Sequence, residues 1–141
     1  MKIAIINGPN LNKLGARDSA KYGTFTLNEL NQYITKSFPE IEFSFYQSNI
    51  EGELINFIQL ADEFCDGLII NPGGFSHTSV AIKDALELVK IPKIEVHLSN
   101  ISSRENFRNF SLTASATNGY LSGFKELSYI GAIYLIIKMN K

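Results

Sequence analysis

The chain contains only two histidines, and each follows closely on a short apolar run that predicts a buried parallel strand. His77 comes after the run that starts at Gly67, and His97 closes the run that starts at Ile91. In an open α/β sheet, ligands bind in the crevice outside the carboxyl ends of the strands. We therefore expect both imidazoles to face one site, which makes an enzyme the leading hypothesis.

A carboxylate accompanies the second histidine. Glu95 lies two residues before His97 on the predicted strand, so both side chains share one face. A carboxylate beside an imidazole fixes its tautomer and favours its protonated form, which suits a general acid. The alternative is a buried pair whose hydrogen bonds serve only the core. The Leu98-Ser99-Asn100 that follows favours the functional interpretation, because free backbone amides after a strand donate to anions.

The three arginines of the chain stand close to the predicted strand ends. Arg17 lies in a long first loop, whereas Arg104 and Arg108 follow the strand that ends at His97. A guanidinium presents a planar fork that suits carboxylates. The alternative is an ordinary surface salt bridge, and it stays open most of all for Arg104.

Small and hydroxyl-bearing residues surround the first histidine, in the stretch Asn71-Pro-Gly-Gly-Phe-Ser-His-Thr-Ser79. Two glycines allow the backbone to approach a ligand closely. Ser76, Thr78 or Ser79 can cap the helix that follows, and the amino end of a helix favours negative charge. The stretch predicts an anion or polyol site, with a simple tight βα turn as the alternative.

The connection after the first strand, residues 8–25, is much longer than the usual βα loop of about 2 to 6 residues. Long ordered loops at strand ends are often functional, and we expect this one to be a lid. It contains Asn10, Arg17 and Tyr22. A phenol in a loop is normally only a polar aromatic group, but a nearby arginine favours the phenolate. If Arg17 meets Tyr22, the tyrosine is a plausible base for a carbon acid.

Composition restricts the classes of function. The 141 residues predict one domain, and 45% hydrophobic with 19% charged residues is typical of a globular protein. A net charge of −1 gives no general attraction to nucleic acid or to an anionic membrane. Cys65 is the only cysteine, and the apolar run at the amino terminus is too short for a signal peptide. We therefore expect a cytoplasmic protein without nucleic-acid or membrane partners.

Short apolar runs alternate with segments of helical period, a pattern that predicts βαβ units. The predicted strands are residues 2–7, 41–47, 67–71, 93–97 and 119–122. Helices are predicted after the capping box Thr26-Leu-Asn-Glu29, over about 51–64, around 80–89 and over about 126–139. This pattern indicates a single α/β domain with a flavodoxin-like, doubly wound, five-stranded parallel sheet.

Six motifs in this order, spread from the first strand to the last helix, resemble the type II 3-dehydroquinate dehydratases. They are Asn7-Gly-Pro-Asn-Leu-Asn-Lys-Leu-Gly15, Arg17 through Tyr22-Gly23, Gln47-Ser-Asn-Ile-Glu-Gly-Glu53, Asn71-Pro-Gly-Gly-Phe-Ser-His-Thr-Ser79, Glu95-Val-His-Leu-Ser-Asn100 and Arg104-Glu-Asn-Phe-Arg108. The resemblance implies reversible dehydration of 3-dehydroquinate to 3-dehydroshikimate in the shikimate pathway of aromatic amino acid biosynthesis. It also implies an enolate intermediate and no metal or organic cofactor.

The resemblance implies catalytic roles for five residues. Tyr22 removes the proton α to the ketone, and Arg17 favours its phenolate and stabilises developing charge. His97 protonates the departing hydroxyl and is oriented by Glu95. Asn10 helps to place a water molecule against the enolate oxygen.

The resemblance also implies substrate-binding roles. Asn71 and His77 match positions that hold the substrate's hydroxyls. Leu98 and Ser99 offer backbone amides, together with the Ser99 side chain, to its carboxylate. Arg108 matches a further substrate contact.

One acidic residue relates to assembly. Asp84, on the third long helix, matches a residue that in the family reaches the site from a neighbouring subunit. That position fits the family's homododecamer, a tetramer of trimers. The resemblance therefore implies a homododecamer here too.

Two other classes of function compete with the enzyme. A flavin- or nucleotide-binding module would need a phosphate loop after the first strand, such as G-x-G-x-x-G, and Gly8-Pro-Asn-Leu-Asn-Lys-Leu-Gly15 is not one. A non-catalytic assembly protein would keep only the scaffold. The presence of Tyr22, Arg17 and His97 together argues against that alternative.

Overall fold

Five short strands form one parallel sheet in the computed structural model, which describes all 141 residues. The spatial order of the strands is β2-β1-β3-β4-β5. The strands are β1 (Lys2–Asn7), β2 (Glu42–Gln47), β3 (Gly67–Asn71), β4 (Lys93–His97) and β5 (Gly119–Ser122). The α-helices are α1 (Ser19–Tyr22), α2 (Leu27–Ser37), α3 (Glu51–Phe64), α4 (Val80–Leu88) and α5 (Leu127–Met139). The predicted doubly wound parallel sheet is confirmed.

The structure differs from the predicted element ends by one residue at several places; α4, for example, ends at Leu88, and Val89 is its cap. The second strand begins at Glu42, because the amide of Ile41 bonds within a turn to the Phe38 carbonyl and the ladder starts at the next residue. The last helix begins at Leu127, because Glu126 occupies the cap position before it. The other four strands have the predicted limits.

The sheet separates two apolar cores, because alternate strand residues point to opposite faces. Ile3 and Ile5 of β1 face α2 and α5, whereas Ala4 and Ile6 face α3 and α4. All four side chains are fully buried. Covering both faces in this way leaves the carboxyl edge of the sheet as the place where polar groups can gather.

Side-chain caps fix two of the helix starts. The predicted capping box is present in α2, where the Thr26 hydroxyl accepts from the Glu29 amide and the Glu29 carboxylate accepts from the Thr26 amide. Of the three candidate caps of α4, Ser79 occupies the position and accepts from the Ile82 amide at 2.9 Å.

The long connection 8–25, which we call the lid, contains two short helical turns that the sequence did not predict. A 3-10 turn covers Leu11–Lys13, and Leu11 is buried in the core beneath it. The helix α1 follows, capped by the Asp18 carboxylate, which accepts from the Ala20 amide. No helix of the structure is long and apolar enough to span a membrane.

Candidate active site

A pocket of about 110 Å³ lies beyond the carboxyl ends of β1, β3 and β4, beneath the lid. This is where the strand order reverses direction, the usual position of ligands in open α/β sheets. Nine of the eleven predicted site residues line the pocket: Asn10, Arg17, Tyr22, Asn71, His77, His97, Leu98, Ser99 and Arg108. Glu95 lies behind His97, and Asp84 lies outside the pocket.

His97 and Glu95 form the pair that their spacing predicts. The Nε2 atom of His97 lies 2.6 Å from Glu95 Oε1. Glu95 is fully buried, while His97 is 5% exposed and faces the pocket. Since an ionised carboxylate only accepts hydrogen bonds, Nε2 carries a proton and Nδ1 is the nitrogen left for a ligand. The open alternative of an internal core pair does not describe this histidine, because its ring lines the cavity.

Two hydroxyl groups hold the carboxylate from its other side. Ser111 Oγ donates to Glu95 Oε1 at 2.9 Å, and Thr113 Oγ1 donates a short hydrogen bond to Glu95 Oε2. With His97, the carboxylate therefore accepts three hydrogen bonds. These bonds replace the hydration that a carboxylate loses when it is buried.

His77 is held differently, although its ring lies near that of His97, with 6.4 Å between centroids and 23° between planes. Its Nδ1 lies 2.8 Å from the Phe110 carbonyl oxygen, so Nδ1 is the donor in this bond. The neutral ring then carries a lone pair at Nε2. Two histidines of one pocket thus present different ring nitrogens to a ligand.

Tyr22 of the lid lies against the guanidinium of Arg17, whose Cζ atom is 3.7 Å from the ring centroid. A second guanidinium, that of Arg104, lies 5.3 Å from the same centroid. The expected meeting of Arg17 and Tyr22 therefore occurs. Two guanidiniums therefore lie beside one phenol at this end of the pocket.

Arg104 is a pocket residue that the sequence left undecided. Its side chain is only 13% exposed, and its Nη1 atom donates to Ser99 Oγ at 3.2 Å. Its Nε atom is buried without a hydrogen-bond partner, since Glu105 Oε2 lies 3.8 Å away. Arg104 thus forms a loose ion pair with Glu105, but its burial and its contact with Ser99 also make it part of the pocket.

Arg108 lines the pocket and is anchored outside it. Its Nε atom donates to Glu105 Oε2 at 2.6 Å. A backbone hydrogen bond to its own carboxyl group and the guanidinium of Arg108 lower the pKa of Glu105. The Glu105 carboxylate is therefore ionised over the neutral pH range, and its hydrogen bond at Nε positions the Arg108 guanidinium.

A buried tyrosine orients the Asn71 amide. Tyr129 is fully buried, its hydroxyl donates to Asn7 Oδ1 at 2.6 Å, and it accepts from Asn71 Nδ2 at 3.1 Å. Burial raises the pKa of Tyr129 well above its usual range, so the phenol keeps its proton. The amide oxygen of Asn71 accepts from the Gly73 amide at 3.1 Å. One N–H of the amide is left to donate into the pocket.

Asn10 and the turn after β4 supply further polar groups. Asn10 has a left-handed backbone (φ 69°), a conformation that asparagine tolerates better than most residues, and its amide donates to Asn49 Oδ1 at 3.0 Å. The backbone amides of Leu98 and Ser99 donate to no other backbone group. They are therefore free to bind an anion, as the sequence predicted.

Asp84 is the predicted residue that the pocket does not include. It lies on α4, and its side chain is exposed on the surface of the single chain. A residue that acts on a neighbouring subunit must be exposed in this way, so the position neither adds to the pocket of its own chain nor conflicts with the expectation.

The sequence did not single out Ser111, Thr113 or Tyr129 as site residues. The hydroxyls of Ser111 and Thr113 lie 16 and 18 residues after Glu95, and no periodic pattern relates them to it. Tyr129 belongs to an apolar helix face and was expected to be mostly core. Its partners Asn7 and Asn71, which are paired in register at the ends of adjacent strands, were the available signal for a polar contact there.

Comparison with known proteins agrees with this geometry. The family model described as dehydroquinase class II matches residues 1–137. The 3-dehydroquinate dehydratase of Fusobacterium nucleatum subsp. nucleatum is 53% identical over 148 residues, covering 100% of both chains. That of Clostridium perfringens is 54% identical over 136 residues, covering 94% of both. The crystal structure of type II dehydroquinase from Butyrivibrio crossotus superposes with a TM-score of 0.94 at 45% identity, covering 97% of each chain. The chain belongs to the class II dehydroquinase family.

Proposed function

We propose that the chain catalyses the reversible elimination of water from 3-dehydroquinate to give 3-dehydroshikimate, in the shikimate pathway of aromatic amino acid biosynthesis. It acts as a hydro-lyase. The observation that carries the proposal is that one pocket holds a phenol backed by a cation and an imidazole backed by an anion. The cation favours a phenolate base, and the anion favours an imidazolium acid, which is the pairing that this elimination needs.

Tyr22 is the base of the proposed reaction. Its phenolate takes the proton α to the ketone, and the electron pair of the broken C–H bond forms an enolate. Arg17, with its guanidinium 3.7 Å from the ring centroid, stabilises the phenolate before this step and the developing negative charge during it. Asn10 places a water molecule that donates a hydrogen bond to the enolate oxygen.

His97 is the acid of the proposed reaction. The enolate expels the β-hydroxyl, and the imidazolium of His97 gives its Nδ1 proton to that leaving group, which departs as water. Glu95 stabilises the imidazolium through the hydrogen bond at Nε2. The proton held by Tyr22 then returns to His97 through solvent, which resets both groups.

The remaining pocket groups bind the substrate. The free N–H of Asn71 donates to one hydroxyl, and the lone pair at Nε2 of His77 accepts from another. The amides of Leu98 and Ser99 bind the carboxylate, and the Ser99 hydroxyl is oriented for this by Arg104. Arg108 makes a further contact with the substrate. Every step is assigned to a side chain or an amide, so no metal or organic cofactor is needed.

The complete enzyme is a homododecamer, a tetramer of trimers, located in the cytoplasm. Asp84 is exposed on α4 and reaches the pocket of a neighbouring subunit within the trimer. This assignment explains why the only acidic residue among the predicted substrate contacts lies outside the pocket of its own chain.

The proposed reaction forms a conjugated enone, whose absorbance reports turnover directly. We expect absorbance to rise when the purified protein is mixed with 3-dehydroquinate, and to rise equally after dialysis against a chelator. A folded oligomer that produces no absorbance change would refute the dehydratase assignment. Loss of the activity on dialysis, with recovery on adding a metal ion, would refute the assignment of the chemistry to side chains alone.

A further inference from the structure

A four-residue segment, 110–113, lies behind the two histidines of the pocket and is fixed to the turn that carries His77. The amide of Leu112 donates to the Ser76 carbonyl at 2.7 Å, and the amide of Thr113 approaches the same oxygen at 3.4 Å. We call this segment the strap. Thr113 is fully buried, so the segment is part of the protein interior at that end.

The strap contacts His77 directly through its backbone, and it reaches His97 only through Glu95, which its hydroxyls hold. The Phe110 carbonyl accepts from His77 Nδ1 at 2.8 Å. The hydroxyls of Ser111 and Thr113 donate to the two oxygens of Glu95, which in turn accepts from His97. Consecutive residues of one segment thus act on two rings that lie on different βα connections.

The hydrogen-bond partners of each histidine determine which of its ring nitrogens carries the proton. The strap offers His77 an acceptor only, because a carbonyl cannot donate, so its neutral form carries hydrogen at Nδ1. Ser111 and Thr113 each donate to one oxygen of the Glu95 carboxylate. An ionised carboxylate only accepts, so the proton between Glu95 and His97 lies at Nε2. Each ring is therefore held in the opposite tautomer from the other.

We infer that the strap is the element that sets the tautomers of both histidines, and that Ser111 and Thr113 are positioning residues for the acid His97. Without the Thr113 hydroxyl, Glu95 Oε2 has no hydrogen-bond partner in a fully buried place. The carboxylate is then free to turn toward other donors, which weakens its hydrogen bond to Nε2 of His97. The role of His97 as acid rests on the proposed function, whereas the tautomer assignment does not.

Variants of the two hydroxyls give the kinetic test. We expect Thr113→Val, which keeps the side-chain shape, to lower kcat about tenfold with little change in KM, because one charge-assisted hydrogen bond is lost from the acid and not from the substrate contacts. Ser111→Ala should act in the same direction. Thr113→Ser restores the hydroxyl and should restore most of kcat.

A threonine four residues away supplies the matched control. The single hydroxyl proton of Thr117 is shared between the backbone carbonyls of Ala114 and Gly119, at 2.8 and 2.9 Å, and no hydrogen bond joins Thr117 to Glu95. Thr117→Val should therefore leave kcat unchanged. If Thr113→Val and Ser111→Ala both turn over like the unaltered chain, or if Thr113→Ser is as slow as Thr113→Val, the positioning role is wrong.

The tautomers themselves can be observed, because labelling histidine with 15N marks only two side chains. At a pH where both rings are neutral, we expect NMR to show the proton of His97 at Nε2 and that of His77 at Nδ1. Thr113→Val should change the His97 signals and leave those of His77, which depends on a backbone carbonyl. The same tautomer for both rings, or His97 signals unchanged in Thr113→Val, would overturn the inference. Absence of dehydratase activity with the expected tautomers would contradict only the proposed function.

Discussion

The two histidines have the same chemistry but different hydrogen-bond partners, and the partners decide what each ring can do. The carboxylate at Nε2 of His97 leaves Nδ1 as the ring nitrogen that faces a ligand. A carbonyl at Nδ1 of His77 leaves Nε2 as an acceptor for a hydroxyl. The hydrogen-bond partners outside the two rings therefore distinguish the proposed acid, His97, from the proposed binding group, His77.

Arg104 provides a test at the residue scale. Its guanidinium lies 5.3 Å from the Tyr22 ring centroid and bonds to Ser99, so it affects both the base and the proposed carboxylate site. We expect Arg104→Gln to lower kcat/KM about tenfold or more, because a charge-assisted hydrogen bond and a cation beside the phenol are both lost. Arg104→Lys keeps the charge and should recover part of the loss. Unchanged kcat/KM in Arg104→Gln would contradict this role.

The site residues that lie near a strand end could be predicted from the sequence. Those that lie in a loop far along the chain could not. His97 ends β4, Ser99 lies two residues beyond it, and His77 lies in the short turn after β3, so the topology brings them to one edge. Ser111 and Thr113 arrive through a loop whose path depends on tertiary contacts with Ser76. The local sequence pattern does not predict the path of such a loop.

At the element scale, the strands and helices could be predicted because burial imposes a strict pattern of apolar residues on the sequence. β3 reads as Gly67-Leu-Ile-Ile-Asn71 and is buried at every position, which is the signature of a central parallel strand. The lid was predicted only by its length, because its turns are stabilised by single contacts such as the buried Leu11 and the Asp18 cap. Such contacts leave no periodic signal.

Two glycines test how tightly the elements pack. A Cβ atom on Gly67 would lie 2.4 Å from Ile136 Cγ2 of α5, whereas a Cβ atom on Gly52 of α3 would meet nothing within 4 Å. We expect Gly67→Ala to lower the free energy of unfolding by about 1–3 kcal/mol through overpacking. Gly52→Ala should raise it by about 0.5–1 kcal/mol, because alanine restricts the unfolded chain more than glycine. Urea denaturation at one protein concentration measures both, and equal effects would contradict the packing of α5 on β3.

The buried Tyr129 predicts an alkaline loss of stability. Burial raises the pKa of its phenol in the folded protein, whereas a tyrosine of the unfolded chain titrates near about 10. The folded state therefore holds this proton more tightly, so the contribution is complete below about pH 10 and falls as the pH rises further. Tyr129→Phe should be less stable than the unaltered chain at neutral pH, and the difference should shrink between about pH 10 and 11. A difference that is independent of pH would contradict the burial of this hydroxyl.

At the scale of the whole molecule, the distribution of charge matters more for substrate attraction than the net charge. The net charge is −1, yet all three arginines line one pocket. Their guanidiniums give the pocket a local positive potential that attracts an anionic substrate, which the near-neutral surface does not. The clustering of the three arginines therefore explains how the pocket attracts a carboxylate although the net charge of the chain gives no general attraction to polyanions.

The proposed sharing of sites between subunits can be tested by complementation. Asp84→Ala and Arg108→Ala should each be nearly inactive as pure oligomers, because every site lacks one contact. Co-expression of the two should restore activity at up to about a quarter of the sites, those that combine an intact Arg108 with a neighbour's intact Asp84. Light scattering of the unaltered chain should show the mass of a dodecamer. No recovery from a mixed oligomer would place Asp84 outside the site.

The central claim is that Tyr22 removes the α-proton and His97 releases the hydroxyl, and proton NMR of 3-dehydroquinate in D2O separates these two steps. Tyr134→Phe, which removes an exposed phenol on α5, serves as the matched control and should behave like the unaltered enzyme. The account predicts that His97→Ala exchanges the α-proton of the substrate for deuterium without forming product, whereas Tyr22→Phe does neither. Exchange at the unaltered rate in Tyr22→Phe, or full product formation in His97→Ala, would contradict it.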